Sequence, residues 1–374
     1  MRIAIDARMY GAQVTGIGTY AEGLINALRK DTRHEYVVIV RSREAAALTN
    51  ALPRLSVVVS NIPWYSWSEQ ISFPAVLLRQ RCDLVHFLNF NVPLRFRQPF
   101  VVTIHDLTPL QFPGQRQARS RLHRAAYHSV LRHAVLGSRQ IIAVSEHTRQ
   151  HLIMVYPAAA PNISVIYPGL SPAFRDATKN GIVYDYLGRL GIRQPYIFFT
   201  GVWREHKNIP GLLQAFRILR ASYGRDDLQL VIGGDRHGAD AKVTEMLAEF
   251  PSGQVITPGF IPERELRSFY HYAAATVIPS FREGFGLLGI ESLSCGTPVA
   301  ASRTTAVPEI LGSHAHYFDP YQPDDMARTI HRLLNIDRKQ AALAAAGILP
   351  RFTWEAAAKA TIEAYERAGT ILSS

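Results

Sequence analysis

Two acidic residues eight positions apart, Glu283 and Glu291, flank the stretch Gly284-Phe285-Gly286-Leu287-Leu288. Carboxylates accept hydrogen bonds from hydroxyls, so this pair suits recognition of sugar and ribose hydroxyls. The two glycines let a ligand approach the main chain closely. The amides of Gly286, Leu287 and Leu288 would then open a helix, a natural place for phosphate oxygens. Taken alone, the E-x7-E spacing is weak: roughly one chance occurrence is expected in a chain of this composition. Two solvated helix glutamates are the plain alternative. The setting sharpens the signal, because Cys295-Gly296-Thr297-Pro298-Val299 follows the second glutamate as a helix stop and a buried strand. Residues 280–302 read as strand end, glycine turn, helix, tight turn and strand.

These residues need elements to position them. Short β-rich runs fall at residues 3–5, 36–40, 55–59, 84–87, 101–104, 141–144 and 164–166. Others follow at 196–200, 228–232, 254–257, 275–279, 297–301 and 316–318. Helical patterns lie between many of them, at 19–29, 119–135, 209–221, 239–249, 262–273, 285–293, 323–335 and 354–368. Such alternation predicts an α/β chain of two parallel, doubly wound domains. A loop-like stretch between Pro168 and Pro195 marks the break, so the domains are expected at residues 1–175 and 190–354. Two Rossmann-like halves would face each other across a cleft, with ligands at the carboxyl ends of the strands.

Composition narrows the function classes. The chain has 374 residues, 47% hydrophobic and 19% charged, which is globular and sufficient for two cores. Its two cysteines, Cys82 and Cys295, are too few and too far apart for a disulfide framework or a zinc site. The apolar run at 3–5 is too short for a secretory signal, and no run of about 18 apolar residues occurs. A soluble or peripheral cytoplasmic protein is expected. The net charge is +11, and the whole excess lies in residues 1–180. That asymmetry points to an anionic partner for the first half, or else to a solvated arginine-rich surface. Nucleic acid is set aside, since no matching motif or interleaved aromatic platform is present. Residues 115–140 carry Arg116, Arg119, Arg121, Arg124, Arg132 and Arg139, with Leu122, Ala126, Val130 and Ala134 as an apolar stripe. A basic amphipathic helix of this kind suits an anionic membrane face, with Trp64, Tyr65 and Trp67 as aromatic anchors. The alternative is a surface helix packed by its apolar side, with the aromatics in the core.

Residues 280–302 resemble the signature of the retaining family-4 glycosyltransferases of GT-B architecture, E-G-F-G-x-x-x-x-E followed by C-G-T-P-V. Thr200-Gly201, with Arg204 and Lys207-Asn208, resembles the family's glycine loop followed by basic residues and Asn. Val102-Thr103-Ile104-His105-Asp106-Leu107 resembles its strand-end histidine. Ile5-Asp6-Ala7-Arg8 with Thr15-Gly16-Ile17-Gly18 resembles its N-terminal glycine loop, and Val144-Ser145-Glu146 and Ile166-Tyr167-Pro168-Gly169 its landmarks before the linker. These marks run nearly the whole chain in order.

The resemblance implies a nucleotide-sugar-dependent transferase with an acceptor-side first domain and a donor-binding second domain. A last helix, at about 355–374, packs back on the first domain. It implies that Lys207 and Arg204 neutralise the donor diphosphate, whose departure as an anion needs positive charge. The family often has Arg directly before the Lys or directly after the loop glycine, where this chain has His206 and Val202. Glu283 is implied to contact hydroxyls of the transferred sugar, and Glu291 the ribose. Gly284, Phe285, Gly286, Leu287 and Leu288 line the donor, and Gly16 and Gly18 lie under its phosphates. His105 is implied to lie near the anomeric centre or hydroxyls of the transferred sugar, while Gly259-Phe260-Ile261-Pro262 walls the base. His105, Lys207 and Glu283 are therefore the catalytic candidates. Retention comes from the resemblance alone, with reaction on one face and a donor phosphate oxygen helping to deprotonate the acceptor. No Asp-x-Asp occurs, so no metal and no cofactor beyond the donor substrate is expected. The pattern looks most like bacterial mannosyltransferases of surface-polysaccharide assembly. That favours GDP-mannose as donor and a glycan or lipid-linked acceptor.

Other readings remain at this level: a UDP-sugar donor, a GT-B epimerase or hydrolase, or a protein that only binds a nucleotide sugar. A dinucleotide oxidoreductase fits less well. Gly16-x-Gly18-x-x-Ala21 partly matches the fingerprint, but about nine residues separate Asp6 from Gly16, too many for a fingerprint turn.

Overall fold

A computed structural model describes every residue except 12–15, 43–47, 49–53, 114–119, 176–183, 237–239, 337–345 and 371–374. Arg116, Arg119 and Thr15 thus lie outside the described residues. The chain divides into two compact units, Met1–Gly169 with Phe352–Ser374, and Leu170–Arg351.

The first unit is built on seven parallel strands: β1 (Arg2–Asp6), β2 (Glu35–Val40), β3 (Leu55–Val59), β4 (Leu84–Phe87), β5 (Phe100–Ile104), β6 (Gln140–Ala143) and β7 (Ile163–Val165). Their order is β3-β2-β1-β4-β5-β6-β7. Strands covered on both faces become nearly continuous apolar runs, which is why Phe100–Ile104 and Glu35–Val40 are buried almost throughout. The order reverses between β1 and β4, so their carboxyl ends flank the switch point where ligands of such sheets bind. The Trp354–Thr370 helix packs in this unit against the Gly16–Leu28 helix and strands β4 to β6. Small residues let it come close. A Cβ on Gly23 would fall 2.0 Å from the Trp354 ring.

The second unit has six parallel strands: β8 (Tyr196–Thr200), β9 (Gln229–Gly233), β10 (Val255–Gly259), β11 (Ala275–Ile278), β12 (Val299–Ser302) and β13 (His316–Phe318). Their order, β10-β9-β8-β11-β12-β13, places the switch point between β8 and β11. The core lies between this sheet and the Ile209–Tyr223 and Pro323–Leu333 helices, with Phe216, Leu212, Ile330 and Phe318 inside it.

One expectation is corrected. The Arg121–Gly137 helix buries Tyr127, Leu131, Ala134 and Val135, not the stripe through Leu122, Ala126 and Val130. The period that includes Ala134 runs back through Leu131 and Tyr127, which turns Leu122 outward, 75% exposed. Among the described residues, no helix is long and apolar enough to cross a membrane.

Candidate active site

The loops that leave β8 and β11 carry the densest polar chemistry in the second unit. Lys207 sits at the end of the Glu205–Lys207 turn, and its Nζ donates to both oxygens of Glu283, at 2.8 and 2.9 Å. Ser280 Oγ donates to Glu283 Oε1 at 2.6 Å, and the Glu283 amide donates to Thr305 Oγ1 at 2.9 Å. Burial alone would raise the Glu283 pKa. The charge and hydrogen bonds of Lys207, the Ser280 hydroxyl and the charge of His206 outweigh it and hold the carboxyl below its usual range. Glu283 is therefore an anion at neutral pH.

Asn208 positions this pair. It adopts a left-handed conformation, φ 53°, and caps the Ile209–Tyr223 helix by accepting from the Gly211 amide. Its Nδ2 donates to the carbonyls of Pro279 at 3.0 Å and Pro320 at 2.8 Å, tying the Lys207 turn to the end of β11. Arg204 opens the same turn but is exposed, and no side-chain partner for it is found among the described residues.

Gly286 caps the Leu287–Ser294 helix with φ 96°, a conformation that side chains avoid. The cap makes no side-chain bond, so first-turn amides at Leu287 and Leu288 are left for a ligand. Gly284, Leu287 and Leu288 are half-buried and Phe285 is buried. Glu291, the fifth residue of the helix, does not join Glu283. Its Oε2 accepts from the Tyr270 hydroxyl at 2.7 Å. Burial pushes the Glu291 carboxyl up to about 7; the Tyr270 hydrogen bond opposes this and the charge of Glu263 adds to it. Beyond β10, Phe260 is 52% exposed while Ile261 is buried, its Cδ1 against Gly233. Gly259 accepts from the Gly234 amide at 2.7 Å, which joins the β9 and β10 ends.

In the first unit, His105 follows β5 and its Nε2 bonds the Leu88 carbonyl at 2.9 Å. A carbonyl can only accept, so Nε2 carries the proton and Nδ1 is the acceptor. Burial lowers the His105 pKa, against smaller opposing effects from the Leu88 carbonyl and Asp106, so the ring is neutral at pH 7. Tyr20 packs edge-on against it at 4.9 Å. Gly16 opens the Gly16–Leu28 helix, and among the described residues nothing lies within 4 Å of a Cβ placed on it. Gly18 is required by packing, since a Cβ would meet the Gly11 carbonyl at 2.1 Å. Arg121 and Arg124 are exposed on the first turn of their helix.

Sequence reasoning singled out Lys207, Glu283, Gly286 and Glu291, but assigned nothing to Ser280, Thr305 or Tyr270 and gave Asn208 no site role. A serine at the end of a buried strand, three residues before the glutamate, was the one local signal available.

Comparison with known proteins bears on the family and the fold. Residues 14–174 match the family described as "Glycosyltransferase Family 4", and residues 189–349 match "Glycosyl transferases group 1". The chain is 29% identical over 306 residues to O-antigen chain mannosyltransferase B of Escherichia coli, covering 77% of this chain and 76% of that protein. It is 23% identical to O-antigen chain mannosyltransferase RfbU of Salmonella typhimurium, over 84% of this chain and 86% of the relative. Among solved structures, Anabaena HepE in complex with UDP and glucose superposes with a TM-score of 0.69 at 17% identity. That match covers 98% of this chain and 99% of the other, and speaks to the fold alone. Two parallel-sheet Rossmann-like units, with neighbours of GT-B glycosyltransferase type, are the shared architecture. The chain belongs to the glycosyltransferases, Family 4 in its N-terminal part and group 1 in its C-terminal part.

Proposed function

We propose that this glycosyltransferase moves a hexose, mannose from GDP-mannose, onto a glycan or lipid-linked acceptor in polysaccharide assembly, with retention and without a metal. The observation that carries the reading is the Lys207–Glu283 pair at the switch point of the second sheet, beside the ligand-ready start of the Leu287–Ser294 helix. Lys207 and the amides of residues 286–288 receive the diphosphate, whose growing charge they stabilise as the sugar leaves. Glu283 grips hydroxyls of the transferred sugar and Glu291 those of the ribose. Arg204 supplies a second cation, and residues 259–262, with Phe260 and Ile261, wall the base. A donor phosphate oxygen takes the acceptor's proton, so no side-chain nucleophile is assigned. Neutral His105 offers Nδ1 to a sugar hydroxyl, and Gly16 leaves room for phosphate oxygens.

Mannose is supported by the names of the relatives. A UDP-sugar is the second reading, because the Anabaena structure holds UDP and glucose. The arginine-rich first half supports work at the anionic inner face of a membrane. Thermal-shift titration with GDP-mannose, UDP-glucose, UDP-galactose and UDP-N-acetylglucosamine tests the donor. GDP-mannose is expected to stabilise most; a larger shift with a UDP-sugar would replace the proposed donor.

A further inference from the structure

The first unit carries large apolar side chains that are exposed among the described residues. Trp67 is 82% exposed and Ile71 74%. They stand four residues apart on the Trp67–Ile71 helix and so share one of its faces. The inward face is pinned by Glu69, which is buried. Its Oε1 takes Arg8 Nη2 and Asn91 Nδ2, both at 2.6 Å, and its Oε2 takes the Tyr65 amide at 2.8 Å. Arg8 in turn grips both oxygens of Asp6 at 2.8 Å and lies 3.5 Å over the Phe73 ring. Breaking a buried ion pair of this kind leaves an uncompensated charge, so the short helix is fixed to the end of β1. Trp67 and Ile71 project from a rigid base.

The surface continues on either side of them. Leu94 is exposed beside the helix, its amide donating to Gln70 Oε1 at 2.9 Å, and Arg97 Nη1 donates to the Leu94 carbonyl at 2.7 Å. Tyr65 stacks on Phe90 at 5.7 Å, and Phe90 meets Tyr127 edge-on at 5.0 Å. Tyr127 is the inward residue of the Arg121–Gly137 helix, whose first turn shows Arg121, Leu122 and Arg124 to solvent.

Charge identifies the occupant. Residues 45–145 contain eleven arginines, no lysine and three acidic residues, Glu69, Asp83 and Asp106. Glu69 is consumed by Arg8, Asp83 accepts from the Arg2 amide and Asp106 from the Thr108 amide. Exposed apolar side chains in a stretch this rich in arginine and poor in free carboxylates match a bilayer with anionic headgroups. Indole sits at such an interface, aliphatic side chains reach the acyl boundary, and guanidinium groups meet phosphates.

We propose that exposed Trp67, Ile71, Leu94 and Leu122, with the exposed Arg95, Arg97, Arg121 and Arg124, seat the first unit on an anionic lipid bilayer. This deepens the membrane-face part of the reading above and does not depend on which sugar is transferred. It also moves the anchor from the arginine helix to the Trp67–Ile71 helix. Trp64, Asn89 and Asn91 next to that helix line a small cavity with Asp6, Arg8 and Met9 at the carboxyl ends of β1 and β4. A lipid-borne acceptor held at the surface thus lies close to polar groups at the strand ends.

Co-sedimentation of the full chain with vesicles of phosphatidylglycerol and phosphatidylcholine, against phosphatidylcholine alone, is the test. The wild type is expected on the anionic vesicles, and Trp67→Ser with Ile71→Ser should weaken partitioning at least about tenfold. Arg121→Glu with Arg124→Glu should weaken it too. Trp64→Phe with Trp67→Phe should keep binding yet lose most of the blue shift in tryptophan emission, because the remaining Trp203 and Trp354 are buried. Circular dichroism melting confirms that each variant is folded. No wild-type binding, equal binding to neutral vesicles, or undiminished binding by the folded serine double variant would overturn the proposal. Nucleotide-sugar affinity is measured on the same samples. A protein that binds anionic vesicles but no nucleotide sugar would support the surface while contradicting the donor site.

Discussion

Lys207 and Glu283 come from loops 76 positions apart, and their contact is a short bidentate pair with a serine hydroxyl on one oxygen. A lysine placed this way is ready to pass its charge to a diphosphate, while the glutamate stays ionised. Lys207→Ala and Glu283→Ala are each expected to lower the transfer rate at least about tenfold, ~1.4 kcal/mol of barrier, in initial-rate assays. Rates near wild type in both would refute the site. Glu291 gives a pH signature. Its carboxyl, raised to about 7 by burial, takes a proton as pH falls through neutrality and then accepts less well from ribose hydroxyls. Calorimetry should find nucleotide affinity weakening several-fold, about 0.5–1 kcal/mol, from about pH 8 to about pH 6. Glu291→Gln should flatten that dependence; an unchanged slope would count against the ribose role. Both glutamates were legible in the sequence because glycines and a strand signature surround them. Tyr270 and Thr305 were not, because each meets its glutamate from a residue 21 or 22 positions away, and only the fold brings them together.

Elements were more legible than the contacts between them. Parallel strands buried on both faces leave apolar runs that need no partner to be recognised. Residues 196–200, for instance, coincide with Tyr196–Thr200, while 297–301 shifted to Val299–Ser302 because Thr297 and Pro298 belong to the turn. The arginine helix was read one stripe away from its true face. Its apolar residues are sparse enough for Leu122 to look as suitable as Tyr127, and packing on the sheet decided between them. Helix starts were displaced too. The stretch at 285–293 begins at Leu287, since Gly286 takes a left-handed cap. Asn208 shows what an element junction costs to disturb. Asn208→Ala leaves the buried Pro279 and Pro320 carbonyls without their donor and removes a helix cap. It is expected to destabilise the protein by about 2–4 kcal/mol in denaturant unfolding and to lower transfer as well. A loss under about 0.5 kcal/mol would show that the junction is held by other contacts.

Across the whole molecule, the division into two units is not a simple cut in the chain, because Phe352–Ser374 belongs with the first unit. Tyr365 on the returning helix bonds His86 Nδ1 at 2.7 Å, and His86 Nε2 meets Thr103 Oγ1 at 2.9 Å. Burial drives the His86 pKa to about 3, so this chain of bonds works with a neutral imidazole. Tyr365→Phe should cost about 1–3 kcal/mol by leaving a buried nitrogen unmatched, measurable as a lower thermal midpoint of the first unit. An unchanged midpoint would show that the bond contributes little. The uneven charge belongs to this scale as well. The +11 excess was plain in the sequence, but that Leu122 and Trp67 are exposed in the same arginine-rich stretch was visible only in the structure. Where the nucleotide sits decides which residues can act on it, and a crystal structure with GDP-mannose bound measures that directly. Diphosphate oxygens are expected within about 3 Å of Lys207 Nζ and of the amides of residues 286–288, with Glu283 on the sugar hydroxyls. A nucleotide bound elsewhere, touching neither Lys207 nor Glu283, would contradict it.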